Sequence, residues 1–306
     1  MIETTATTIG IYFGLRNKQK PVHTVSPEAS PTSVTPDNLS PDLRNKPEQH
    51  AAFDEHSEMR ELVSYQLRMR TQGGIVDLSG LSAPEFKQVK PNIEDLELLK
   101  SDEASTFVRS LILSETQIDD KELETVKNLK LISLFLDDDP VVDLHAIKEM
   151  KTLQGISLKG TAIDKQGFSI ISHLPHLTEL NLAGTKATDN DLAILSKLPL
   201  QRLVLDRTAV IDLHGLKEMN SLEQVSLALT KIGKPALEVL KDLPNLKQLN
   251  INQTEITDAD LSVFEQMKSL QRLDIQMCPS LTRRAVLLLR QHVPPTCRVV
   301  SDLISS

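Results

Sequence analysis

An α/β solenoid, a horseshoe with a parallel concave sheet and short convex helices, is the fold class this sequence predicts. Three observations predict it: an apolar spacing repeated eight times, segment heads 22 to 24 residues apart, and a second copying period of 69 residues. The heads are Val108, Leu131, Leu153, Leu177, Leu200, Leu222, Leu246 and Leu270. Each opens the spacing L-x-x-L-x-L, as in Leu177-Leu180-Leu182 and Leu200-Leu203-Leu205. The alternation of the last two apolar positions is the period of a strand. Because every segment runs in the same direction, the strands form a parallel sheet. A turn and a helix-like half follow each strand, as from Asp189 through Leu195 and from Asp258 to Met267, with Asp and Thr as cap residues.

The longer period lies over the shorter one. Residues 131–176 and 200–245 are identical at 19 of 46 aligned positions. The match is clearest where Val142-Asp143-Leu144-His145-Ala146-Ile147-Lys148-Glu149-Met150 meets Ile211-Asp212-Leu213-His214-Gly215-Leu216-Lys217-Glu218-Met219. Val108, Leu177 and Leu246 likewise head related segments, so the array reads as grown by copying three repeats at a time.

Two different kinds of chain precede the array, which spans 108–303. Residues 1–54 read as a disordered Pro/Ser/Thr-rich tether: prolines 21, 27, 31, 36, 41 and 47 stand among Ser and Thr with almost no large apolar residue. Such a segment buries too little surface to offset its ordering entropy. Residues 55–107 read as an N-terminal cap. Met59, Leu62, Val63, Tyr65 and Leu67 fall on a helical period that Gly73 and Gly74 stop. Ile75 to Leu78 predicts a short strand. Ile93, Leu96, Leu98 and Leu99 suggest a degenerate first repeat, placed where a solenoid needs its terminal layer covered.

Composition limits the functions open to the chain. The 34 basic and 42 acidic residues give a net charge of −8, which offers no footprint for nucleic acid. Scarce aromatics and no Trp leave a core of Leu, Ile and Val, which suits thin repeating layers. Cys278 and Cys297 are the two cysteines, too few for a disulfide scaffold and compatible with a reducing compartment. A cytoplasmic location is therefore expected, with a membrane-tethered or extracytoplasmic bacterial setting as the alternative. The nearest approach to a membrane segment, Thr8 to Leu15, is too short to span, and we favour the tether reading over membrane contact.

These residues resemble the leucine-rich-repeat family, whose pattern is L-x-x-L-x-L-x-x-(N/C)-x-L. The resemblance covers 108–303. At the ninth position, where the family carries a polar residue that hydrogen-bonds the neighbouring turn, this sequence has Thr116, Asp139, Thr161, Thr185, Thr208, Thr230, Thr254 and Cys278. Threonine hydroxyls both donate and accept, so a threonine ladder is expected to satisfy backbone groups in the turns. The Thr-x-Ile-x-Asp flavour is similar to repeats common in bacterial proteins. Met277-Cys278-Pro279-Ser280-Leu281-Thr282 resembles the cysteine-containing repeats of F-box adaptors, and 288–299 resembles a closing strand. What the resemblance implies is a monomeric, non-catalytic module that binds a protein on its concave face. The alternative is an adaptor or enzyme regulator like F-box or inhibitor-type members of the family.

In that geometry the intervening strand residues face the concave surface. The expected partner-binding residues are Phe135, Asp137, Arg202, Val204, Asp206, Asn250, Asn252, Arg272 and Asp274, with Phe135 and Val204 as isolated apolar points on a polar face. Arginines and aromatics are the side chains that most often dominate interface energy. Other constellations point to less. Asp137-Asp138-Asp139 aim their carboxylates apart, which disfavours calcium. His145 and His214 sit three strands apart, roughly 14 Å, too far to share a metal, and are assigned to packing between repeats. Cys278 and Cys297 belong at opposite ends of their strands and are read as free, buried thiols. Asn252-Gln253-Thr254 spells a glycosylation sequon inside a strand, where a glycan would block the concave face. No phosphate loop, H-E-x-x-H or G-x-S-x-G occurs, so neither catalysis nor a cofactor is expected.

Overall fold

A computed structural model describes residues 74–79, 93–100 and 107–304. The tether over 1–54 and the helix expected near 55–70 lie outside the described residues. Ten strands form one parallel sheet in chain order. They are β1 (Ile75–Asp77), β2 (Ser110–Ile112), β3 (Ser133–Phe135), β4 (Gly155–Ser157), β5 (Glu179–Asn181), β6 (Arg202–Val204), β7 (Gln224–Ser226), β8 (Gln248–Asn250), β9 (Arg272–Asp274) and β10 (Arg298–Val300). The strand expected at 75 and the closing strand thus extend the eight-repeat sheet by one at each end.

Register follows directly from the sequence phase. The fourth position of every repeat pairs with the fourth position of the next, so Leu111, Leu134, Ile156, Leu180, Leu203, Val225, Leu249 and Leu273 form one inward row. All eight are buried in a single core that runs the length of the array. Each such side chain contributes about 1.5–3 kcal/mol by leaving water, and Leu203→Ala would cost roughly 2–5 kcal/mol because the layers above and below it cannot collapse into the gap.

The convex elements are short. They are α1 (Ile93–Glu97), α2 (Asp120–Leu123), α3 (Lys165–Ile171), α4 (Asp189–Leu195), α5 (Lys234–Lys241) and α6 (Arg283–His292), with 3-10 segments including Glu124–Val126, His145–Ile147, His214–Leu216 and Asp258–Gln266. The triplet period reappears in how they start. Capping boxes join Asp119 to Glu122, Thr188 to Asp191 and Thr257 to Asp260. Each box closes amides that the first helical turn would leave unpaired. The next residue is an aspartate in all three, and it reaches into the following repeat. Asp120 accepts from the backbone N–H groups of Val142, Asp143 and Leu144. Asp189 does the same for Ile211, Asp212 and Leu213, and Asp258 binds Thr282 through its N–H and hydroxyl.

The turn after each strand of the array is tight in a specific way. The eighth repeat position takes a left-handed conformation in every repeat: Glu115, Asp138, Gly160, Gly184, Arg207, Leu229, Gln253 and Met277. Only two of these are glycine, so six turns hold a side chain in a region that costs about 1–2 kcal/mol. The threonine that follows stabilises the turn. The hydroxyls of Thr161, Thr185, Thr208, Thr230 and Thr254 donate to the carbonyl three residues back at 2.6–2.8 Å. Thr116 bonds Leu113 in the same way. Each of these bonds closes its own turn. The two exceptions reach the previous repeat: Asp139 Oδ1 accepts from the Gln117 N–H, and Cys278 Sγ lies 3.4 Å from the Ile251 carbonyl.

Candidate protein-recognition face

The third, fifth and seventh repeat positions lie on the face of the sheet away from the helices, as the pattern requires. Their environments differ sharply along the array. On β2 to β5 most are buried: Ser110, Ile112, Ser114, Ser133, Phe135, Asp137, Ser157, Asn181 and Ala183 are nearly inaccessible, and Lys159 and Glu179 are half-buried. On β6 to β9 most are open, with Gln248 and Arg272 exposed and Arg202, Asp206, Gln224, Ser226, Asn250, Asn252 and Asp274 half-buried.

Two residues expected as apolar points on a polar face are buried instead. Phe135 is 3% exposed and joins Ile112, Ile75 and Ile132 in a small second cluster, and Val204 is 2% exposed. Ile112 on β2 and Ile75 on β1 give the Phe135 ring an apolar surface to pack on.

Several of the polar candidates bond to one another. The Ser157 hydroxyl donates to Asp137 Oδ1 and accepts from Asn181 Nδ2 at 3.0 Å. The same three residue types recur 69 positions on. Ser226 Oγ donates to Asp206 Oδ1 at 2.6 Å and accepts from Asn250 Nδ2 at 2.9 Å. Each aspartate also takes a backbone N–H, from Lys159 in the first set and from Ala228 in the second. Single-residue reading missed these networks. The signal was available in the 69-residue period, which repeats Asp, Ser and Asn at adjacent sheet positions. Asn252, too, has a structural duty, its Oδ1 accepting from the Gln276 N–H. It lies in the turn after β8, so the sequon is in that turn and not in the strand.

Burial tunes the charges. It pushes the Glu179 carboxyl up to about 7, with Arg202 on the next strand opposing the shift. The same desolvation lowers the Arg202 guanidinium and raises Asp206, which Ser226 and the Ala228 amide partly offset. Arg272 is the opposite case: its Nε lies 2.8 Å from Asp274 Oδ2, and that hydrogen bond raises it further. Asp139 replaces threonine at the ninth position, and burial raises it to about 7 although Oδ1 accepts from the Gln117 N–H. Its Oδ2 is buried with no hydrogen-bond partner among the described residues. In a turn built for a hydroxyl donor, a protonated carboxyl fits better than a carboxylate.

The remaining sequence candidates settle elsewhere. The three adjacent aspartates diverge: Asp137 turns to Ser157, Asp138 lies 3.7 Å from Lys159 and Asp139 turns to Gln117. His145 and His214, expected to pack between repeats, are exposed. What the repeat preserves there is the backbone turn, in which Asp143 and Asp212 accept from the histidine N–H groups. Both cysteines are free, Cys278 buried and Cys297 only half-buried, with its thiol pushed up to about 11 by desolvation. Among the described residues no helix is long and apolar enough to cross a membrane.

Over β6 to β9 the face forms an open groove of about 360 Å³, lined by Arg202, Val204, Gln224, Ser226, Gln248, Asn250, Arg272 and Asp274 among others. It has one donor-rich side and one side that carries the second Asp–Ser–Asn network.

No protein-family model matches the chain. A Trypanosoma equiperdum protein, named as a candidate adenylate cyclase regulatory protein, is 32% identical over 126 residues. That match covers 40% of this chain and spans only 20% of the relative's length. Among solved structures, internalin C2 of Listeria monocytogenes superposes with a TM-score of 0.52 at 22% identity, covering 68% of this chain and 83% of the internalin. A second Listeria monocytogenes internalin, InlF, gives 0.52 at 17% identity, with 80% of this chain and 77% of that one covered. TLR13, solved with a single-stranded RNA, gives 0.51 at 18% identity, covering 69% of this chain and 30% of that chain. With ten parallel strands in one open sheet and phased strand–turn–helix layers, the likeness establishes the fold as an α/β leucine-rich-repeat solenoid.

Proposed function

We propose that this protein is a non-catalytic interaction module that receives a protein partner on the concave face over β6 to β9. The observation that carries the reading is the asymmetry of that face. Its first half is mostly buried, with Lys159 and Glu179 half-buried, whereas its second half opens into the groove with arginine and amide side chains at the surface. Solenoids present such extended surfaces to partners, and arginines within them are frequent energetic anchors. A photo-crosslinking residue at Gln248, in the full-length protein in its own cells, tests it against the same residue at the exposed convex Lys217. Discrete adducts from 248, absent from 217 and abolished by Gln224→Trp, are expected. Adducts from 217 alone, or insensitivity to the tryptophan, would overturn it.

A second reading, that the module acts as an adaptor or enzyme regulator, is favoured by one observation, the name of the trypanosome relative. Under it, purified full-length protein changes the activity of an adenylate cyclase from its own source. An unchanged activity at saturating protein would remove that version.

A further inference from the structure

The rows of the open groove carry more information than its outline. Register places Arg202, Gln224, Gln248, Arg272 and Arg298 side by side on β6 to β10, all at the third repeat position. Three arginines and two glutamines in line form a ladder of N–H donors, and Glu179 on β5 stands beside Arg202 at the inner end of the same row. Arg272 uses Nε to hold Asp274, and Arg298 is exposed at the open end of the row.

The geometry points to an acidic, extended polypeptide segment as the occupant, lying across the strands with carboxylates at positions i, i+4 and i+6. The inference rests on the concave-face reading and names the chemistry of its partner. Parallel strands stand about 4.8 Å apart, which puts Arg272 about 14 Å and Arg298 about 19 Å from Arg202 along the row. An extended chain rises about 3.4 Å per residue with alternate side chains on one side, so i to i+4 spans about 14 Å and i to i+6 about 20 Å. A helical partner advances only about 6 Å between i and i+4, which does not match the long interval. The amides of Gln224 and Gln248, between the arginines, both donate and accept. They suit the alternating N–H and C=O groups of an extended backbone.

Charge favours the same occupant. Bidentate geometry makes arginine the natural partner of a carboxylate. The net charge of −8 lies in residues 51–306 and is screened beyond about 10 Å at 0.1 M salt, so the local row governs contact. A nucleic-acid strand fits less well. No aromatic ring lines the groove for a base to stack on.

The test uses the full-length protein and fluorescence anisotropy. The probe is a labelled peptide of alternating Glu and Thr, about 12 residues long so that it covers the row. Its companions are the same peptide with Gln for Glu, the same with Lys for Glu, and a uridine oligonucleotide of equal length. The acidic peptide is expected to bind about tenfold more tightly than the Gln peptide, and Arg298→Glu and Arg272→Gln should each weaken it by about tenfold. Arg298 is exposed, so its substitution leaves the fold in place, and an unchanged unfolding midpoint checks this. Equal binding of the Gln peptide, indifference to Arg298→Glu, or tighter binding of the oligonucleotide that the same variants abolish would each overturn the inference. If the acidic peptide fails to bind while crosslinking from position 248 still yields its groove-dependent adduct, the acidic class falls and concave recognition stands. If both fail, both readings fall.

Discussion

Residues 131–176 and 200–245 are copies of one sequence, and the molecule treats their two sides differently. On the convex side they are handled alike, with Asp120 and Asp189 gathering the same three amides of the following turn. On the concave side they part. The first copy carries Ser133, Phe135 and Gly155 and buries its Asp–Ser–Asn network. The second carries Arg202, Val204 and Gln224 and leaves the network half open at the groove. Positions that face the core or a neighbouring layer must fit both adjacent repeats, so copying keeps them. Concave positions contact few other layers and are free to diverge toward recognition.

The largest expected loss separates the copies on the convex side. Gly215 stands where the first copy has Ala146, and a Cβ there would lie 2.5 Å from the Ala193 nitrogen and the Leu192 carbonyl carbon. Opposite Gly215 the chain is continuous α4, whereas at Glu124, opposite Ala146, helix has already given way to a 3-10 turn. Gly215→Ala should therefore cost about 3 kcal/mol by overpacking. Ala146→Gly should cost about 1–2 kcal/mol, through backbone entropy and the loss of one buried methyl group. Denaturant midpoints compare the two, and equal costs would contradict this account of the layer contact.

Asp139 and Thr208 occupy the same turn position, and only the first titrates. The folded pKa of Asp139 is raised to about 7, so its contribution is complete below the unfolded value of about 4 and is lost as pH rises to about 7. Asp139→Asn removes that loss. The variant should gain on the wild type by on the order of 4 kcal/mol from pH ~4 to ~7 and gain no more above. Unfolding curves across that range check it, and a gain that grows toward low pH would reverse the sign. Thr208→Ala should show no such pH dependence.

The two networks differ next. Asp137→Ala leaves buried Ser157 and the Lys159 N–H without their acceptor and should cost about 2–3 kcal/mol. Asp206→Ala breaks the half-exposed equivalent, where water can substitute, and about 1 kcal/mol is expected. Comparable losses in chemical denaturation would show that the second network is as dry as the first. The smallest effect belongs to the turns. Leu229 holds the left-handed conformation that Gly160 holds in the first copy, so Leu229→Gly should stabilise by about 0.5 kcal/mol. A lower melting temperature would refute it.

Much of this was legible beforehand because the solenoid couples sequence phase to space so directly. Once the apolar heads were aligned, strand order, parallel pairing and the identity of the concave rows followed. The helix starts were legible as well, since Thr188 and Thr257 cap locally. Three features were not. The burial of Phe135 depends on apolar residues of the preceding strands, Ile75 and Ile112, that pack against it. The exposure of His145 and His214 follows from a turn in which the preceding leucines, Leu144 and Leu213, adopt positive φ and turn inward. The Asp–Ser–Asn networks join side chains 20 and 24 residues apart, a relation visible only across strands.

The sequence by itself determined the repeating layer: where each strand lies, which side chains enter the core and which position carries the hydroxyl that bonds a turn. Those are contacts within one repeat or between equivalent positions of adjacent repeats, and a periodic pattern encodes both. Only the tertiary structure decided which part of the concave face is open. Exposure there is set by the volumes and hydrogen bonds of side chains brought into line across several strands. The donor row from Arg202 to Arg298 exists for the same reason, as five separate residues that the parallel register turns into one surface.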